Sequence, residues 1–137
     1  VAARARAFRV EMRAQNRTSA TRADAMGRPL GRDRISLTGP AIARATAPIA
    51  DLLGALRAQQ LPAEPSSDAG AYLCNYTLYR TLTECAGSAT AGFLHVPQAR
   101  ETAGPEAPAT LAMIDAAVRG VAEAYAGVLA AAEVLAA

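Results

Sequence analysis

Residues 63–86 read AEPSSDAGAYLCNYTLYRTLTECA, and the change of pattern inside this stretch decides the fold. Ala63 to Ser67 is a short extended segment. Its Pro65 has no N–H to give to a ladder and so belongs at a sheet edge or a strand end. Ser67-Asp68-Ala69-Gly70 then turns the chain into a helix running from about Ala71 to Ala86, with Leu78, Leu82 and Cys85 on one side. A strand that feeds directly into a helix is half of a crossover unit, so the flanking sequence should repeat the alternation.

It does so on both sides. Gly39-Pro40 opens a helical stretch in which Ile49, Leu52, Leu53 and Leu56 share a face. Pro48 fits only a first turn and so starts the regular part, which ends near Gln60 ahead of Pro62. Further upstream, Phe8, Val10, Met12 and Ala14 alternate with Arg9, Glu11, Arg13 and Gln15, the period of a strand with one buried face and Glu11 on the polar one. From Asn16 to Thr38 no period is sustained, and Gly27, Pro29 and Gly31 mark a long irregular excursion.

Downstream, Ala91 to Val96 reads as a buried strand stopped by Pro97, and a loop with Pro105 and Pro108 follows. An alanine-rich helix from about Thr110 to Leu135 closes the chain, with Leu111, Ile114, Val118, Val121, Tyr125 and Leu129 as its inward stripe. Strands alternating with helices predict the α/β class: a three-layer α/β/α sandwich on a largely parallel sheet, forming a single domain over residues 1–137. Three strands are few for three helices, and the chain opens at Val1 in an Arg/Ala pattern. We therefore expect the sandwich to be incomplete at its N-terminus.

Composition narrows the function classes. Of 137 residues 52% are apolar, but 36 are alanine and only 4% are aromatic, so much of the apolar content buries little surface per residue. Two cysteines exclude a disulfide scaffold. The most apolar stretch, Val121 to Ala137, is interrupted by Glu123 and Glu133 and falls short of the roughly 20 apolar residues that cross a bilayer. No signal-peptide pattern opens the chain. The expectation is a cytoplasmic protein without a membrane partner, its thiols free in a reducing compartment. Residues 1–34 carry nine arginines and a net charge of +6, against −4 for residues 35–137. That asymmetry allows an Arg-mediated nucleic-acid binder, but the arginines are dispersed among alanines and Phe8 is the only aromatic beside them, so a solvated basic face and no nucleic-acid partner is the better reading.

Three residue types carry chemistry. Cys74 falls in the first turn of its helix, where unpaired amides and the positive dipole end favour a thiolate; equally, Cys74, Leu78, Leu82 and Cys85 could form one buried stripe. Cys85 has no activating neighbour and is read as structural. His95, the only histidine, stands at a strand end, where open α/β sheets place functional groups, although a lone histidine near a core is often a packed structural residue. Glu11 supplies a strand-borne carboxylate. Together they make the nucleophile, base and orienting set of a cysteine hydrolase. No metal site has recognisable ligand spacing.

These residues lie in segments that resemble a known family. Ser67-Asp68-Ala69-Gly70-Ala71-Tyr72-Leu73-Cys74-Asn75-Tyr76 resembles the cysteine motif of pyroglutamyl-peptidase I (pyrrolidone-carboxylate peptidase), and Gly92-Phe93-Leu94-His95-Val96-Pro97 its histidine motif. Glu11-Met12-Arg13-Ala14-Gln15-Asn16 is similar to the family's glutamate segment, and Asp24, Gly27 and Pro29 resemble the loop that follows it. The resemblance covers essentially the whole chain but corresponds to about the C-terminal two thirds of the family's usual length. It implies a cysteine omega-peptidase that needs no cofactor or metal, is cytoplasmic and assembles as a homo-tetramer. Its implied substrates are peptides with N-terminal pyroglutamate, with Cys74 as nucleophile, His95 as general base and then acid, and Glu11 as the partner of the imidazole. The alternatives are a non-catalytic relative that serves as a binding or assembly module and the nucleic-acid binder.

Overall fold

The structure is a computed structural model that describes residues 5–19, 26–27 and 33–136. In chain order the elements are β1 (Phe8–Glu11), β2 (Arg13–Gln15), β3 (Ile42–Arg44), α1 (Ile49–Ala58), β4 (Ala63–Ser66), α2 (Leu73–Glu84), β5 (Phe93–His95), α3 (Arg100–Ala103) and α4 (Leu111–Ala136). β4, β1 and β5 form one sheet in that order, and β2 and β3 pair separately. The chain thus has an α/β fold with a mostly parallel central sheet. Between β1 and β4 the direction is legible in single bonds. Phe8 N–H donates to the Pro62 carbonyl at 2.8 Å and Met12 N–H to Ser66 at 2.7 Å, the same step along both segments. Pro65 lies exposed on β4, at the end of the sheet order, as its missing N–H requires.

By its contacts the chain divides into two compact units, one made of residues 1–10, 47–65 and 94–137 and the other of residues 11–46 and 66–93. The first has Phe8, Val10, Leu52, Leu53, Leu56 and Leu61 at its centre. α1 supplies its buried face from Leu52, Leu53 and Leu56, as the spacing predicts. It ends where Gln60 takes a left-handed φ of 59°. There Gln60 N–H donates to the Arg57 carbonyl at 2.9 Å and Leu61 N–H to Leu56 at 3.1 Å, closing the helix as a Schellman motif with Leu61 and Leu56 in the same core cluster.

α4 packs on α1 within this unit, but its inner face differs from the expected stripe. Leu111, Val118 and Leu129 are 51%, 53% and 48% exposed, whereas Ala117 is fully buried and Gly120 is buried beside Gln59. Ile114, Val121 and Tyr125 do pack against the core. Large apolar residues on both sides of an alanine-rich helix make its hydrophobic face ambiguous from sequence. Here α4 presents a small residue where α1 approaches.

The second unit contains β2, β3 and α2. β2 and β3 are antiparallel, with Arg13 opposite Arg44, Ala14 opposite Ala43 and Gln15 opposite Ile42. The alternation from Phe8 to Ala14 is therefore two strands separated at Met12, whose carbonyl accepts from Ala45 N–H at 2.9 Å. β3 lies in the stretch read as the opening of a helix, and α3 in the Pro-punctuated loop; both are too short to carry a period. The described parts of the 16–38 excursion hold no helix or strand, while Asp24, Pro29 and Gly31 fall outside the described residues.

The inner face of α4 is testable by size. Ala117→Leu should cost about 1–3 kcal/mol by overpacking, while Val118→Ala should stay within about 0.5 kcal/mol of the parent, both read from urea unfolding midpoints.

Candidate functional site

The approach to α2 is built by short polar side chains. Ser66 Oγ accepts from Asp68 N–H at 3.3 Å, and Asp68 Oδ1 accepts from Gly70 N–H at 3.0 Å. Gly70 has φ +83°, a conformation in which a β-carbon would be strained. Tyr72 is extended at the N-cap and gives the helix no side-chain cap bond, and the first turn contains no acidic residue. The amides of that turn are thus left to the positive end of the helix, with Cys74 as its second residue.

Cys74 and Cys85 are both free thiols and both half-buried. The buried side of α2 is Asn75, Leu78, Tyr79 and Leu82. Of the stripe Cys74, Leu78, Leu82 and Cys85, the two leucines lie on this packed face and the two cysteines flank it, half-buried. The helix turns Asn75 inward and leaves the neighbouring Cys74 half-buried.

Glu11 is the last residue of β1 and fully buried, and His95 is the last residue of β5 and 5% exposed. Both close strands that neighbour one another in the sheet. Glu11 does alternate away from Phe8 and Val10, but the polar side of the strand is not a solvated one. Parallel α/β sheets are covered on both faces, so the residues of either face are buried. Glu11 and Cys74 belong to the second compact unit, and His95 to the first. Among the described residues no three His, Cys, Asp or Glu side chains are grouped so as to hold a metal ion. A cavity of about 600 Å³ is lined by Arg6, Gln98, Arg100 and Glu106 among others, and by none of Glu11, Cys74 or His95.

Two buried asparagines and a tyrosine, to which the sequence alone assigns no role, hold the second compact unit together. Asn75 Oδ1 accepts from Gln15 N–H at 2.8 Å, and its Nδ2 donates to the carbonyls of Gln15 at 2.8 Å and Arg17 at 3.0 Å. Asn16 Oδ1 accepts from Ser36 N–H at 2.9 Å, and its Nδ2 donates to the carbonyls of Ser36 at 2.8 Å and Gly39 at 3.2 Å. Tyr79 donates its hydroxyl to the Pro40 carbonyl at 2.8 Å. The signal was present in the spacing: Asn75, Leu78, Tyr79 and Leu82 follow the i, i+3, i+4, i+7 rule, and a polar residue on such a face must find partners.

The basic segment is partly committed inside the fold. Arg9 pairs with Glu64 at 3.5 Å, Arg17 with Asp68 at 3.6 Å, and Arg13 Nε donates to the Ser67 carbonyl at 2.9 Å. Arg4, Arg22, Arg28 and Arg32 lie outside the described residues. Among the described residues no helix is long and apolar enough to cross a membrane.

Comparison with known proteins gives a consistent result. The model of a family described as Pyroglutamyl peptidase matches residues 2–133. A pyrrolidone-carboxylate peptidase of Chromobacterium violaceum is 38% identical over 88 residues, an alignment spanning 64% of this chain and 41% of that protein. The structure of pyrrolidone carboxyl peptidase from Thermococcus litoralis superposes with a TM-score of 0.84 at 26% identity, covering 94% of this chain and 64% of that one. The Thermus thermophilus structure gives 0.81 at 30% identity, covering 90% and 65%. The matched region is thus about two fifths of the Chromobacterium relative and under two thirds of each solved chain.

Tyr79→Phe tests the anchoring of α2. Losing the bond to Pro40 should cost about 1–2 kcal/mol in denaturant unfolding, because the buried carbonyl is left without its donor.

Proposed function

Because this chain belongs to the pyroglutamyl peptidase family, we propose that it removes an N-terminal pyroglutamyl residue from peptides by thiolate attack. Cys74 is the nucleophile, His95 the general base and then acid, and Glu11 the partner that orients the imidazole. The observation that carries the assignment is the position of Cys74: a free, half-buried cysteine in the first turn of a helix whose start has no side-chain cap. Cys85, at the C-terminal end of the same helix, has no such setting.

The chemistry follows from those groups. His95 takes the proton from Cys74 Sγ, and the thiolate attacks the carbonyl carbon that joins pyroglutamate to the next residue. The electron pair moves onto the carbonyl oxygen, where backbone amides at the helix start are suited to receive it; single donors of that kind have been worth roughly 3–4 kcal/mol elsewhere. When the tetrahedral species collapses, the imidazolium gives its proton to the leaving amine and a thioester remains on Cys74. Water, deprotonated by His95, then releases pyroglutamate and restores the thiol. No metal or organic cofactor enters these steps.

The same reading takes residues 1–137 as one α/β domain of a cytoplasmic enzyme that assembles as a homo-tetramer. The continuity of the family match across residues 2–133 supports the domain assignment.

The test is hydrolysis of a chromogenic pyroglutamyl amide by the full-length protein. Cys74→Ala should lower kcat by at least about a thousandfold and His95→Asn comparably, with Cys85→Ala within about twofold of the parent. Full turnover in Cys74→Ala would remove the assignment.

A further inference from the structure

Asn75 makes an unusual set of bonds for a helix residue. β2 is paired with β3 on one side. On its other side Gln15 presents both its N–H and its carbonyl to the Asn75 carboxamide, each at 2.8 Å, which is the double bond pattern a neighbouring strand would offer. The second amide hydrogen goes to the Arg17 carbonyl at 3.0 Å, so both donors are used. The side chain is fully buried. α2, for its part, has no side-chain cap at Tyr72, so its first turn is held by bonds to another part of the chain and not by its own terminus.

We infer that Asn75 is a positioning residue for the nucleophile: its carboxamide substitutes for a strand at the open edge of β2 and so fixes the first turn of α2, and with it the sulfur of Cys74. The inference rests on the reading of Cys74 as nucleophile. Asn75 follows Cys74 directly, so a tilt or slide of the helix start moves the sulfur against any bound carbonyl, and a displacement of about 1 Å at a reacting centre can cost about a hundredfold in rate. No close isostere makes the same bonds. Asp would set an acceptor against two carbonyls and bury a charge; Leu would strip Gln15 N–H and the Arg17 carbonyl of this partner and leave the Gln15 carbonyl only its bond from Arg17 N–H, and Ala would do the same with a void.

Steady-state kinetics on a pyroglutamyl amide test this, using the full-length protein under conditions where each variant is shown to be folded. Asn75→Ala should lower kcat by about a hundredfold while KM changes little, because reaction geometry and not binding is lost. Asn75→Asp should be as poor near neutrality and recover relative to the parent as pH falls and its carboxyl gains one donor proton. Tyr79→Phe is the control: it weakens the same helix face by one buried bond yet should keep the parent kcat. Should Asn75→Ala fail to fold, Asn75→Ser retains one hydroxyl for Gln15 and should show a smaller loss in kcat. In the parent itself, hydrogen exchange at the Gln15 amide should be as slow as at the β2–β3 ladder. Parent-like kcat in folded Asn75→Ala or Asn75→Ser, or an equal loss in Tyr79→Phe, or fast exchange at Gln15, overturns the inference. Cys74→Ala separates the two levels: if it is inactive while Asn75→Ala is fully active, only the positioning role fails; if it is active, the underlying reading fails and takes this inference with it.

Discussion

A buried run of backbone must pair the N–H and C=O groups it carries, and the segment from Phe8 to Arg17 meets this constraint by changing partners along its length. It bonds to Pro62 at its start and to Ser66 at Met12, passes its Met12 carbonyl to Ala45, and meets a side chain, Asn75, at Gln15 and Arg17. Each change places something. The first two bonds set β4 parallel to β1, the third turns the chain toward β3, and the last ties α2 to the end of β2. Two of the proposed site residues are set by this succession: Glu11 closes β1 just before the change of partner, and Cys74 stands beside the residue that makes the last bond.

The economy of α2 follows from the same constraint. A helix start would ordinarily be stabilised by a capping side chain worth about 1 kcal/mol. Here Tyr72 supplies none, and the helix is held by Asn75 and Tyr79 through its buried face. The consequence is an uncapped positive terminus beside a half-buried cysteine, an environment that favours negative charge on an oxygen bound nearby. A cap would have used the amides that the proposed chemistry needs.

Much of this was legible in the sequence because two periods are hard to mistake. The face of α1 and the alternation through β1 follow from regular spacing, the strand that holds His95 follows from an apolar run stopped by Pro97, and Pro48 and Pro65 mark a helix start and an edge by their missing N–H groups. The α4 face was not legible, since alanine is compatible with either side of a helix and the packed position, Ala117, carries the least hydrophobic signal. β3 and α3 were too short to show a period. Glu11 read as the polar side of a strand because alternation reports which residues differ, not whether the second face is covered. For the candidate site, the position of Cys74 at a helix start was readable from Ser67-Asp68-Ala69-Gly70. The orientation of α2 was not, because it depends on long-range bonds from Asn75 that local sequence does not encode.

Thiolate attack requires that the Cys74 sulfur become covalently acylated. Acid-quenching the full-length protein during turnover of a pyroglutamyl substrate and mapping the adduct by mass spectrometry tests this directly. The expected result is a pyroglutamyl thioester on the peptide containing Cys74, with the Cys85 thiol unmodified. Hydrolysis that proceeds with the acyl group on any other residue would contradict the assignment of Cys74 as nucleophile.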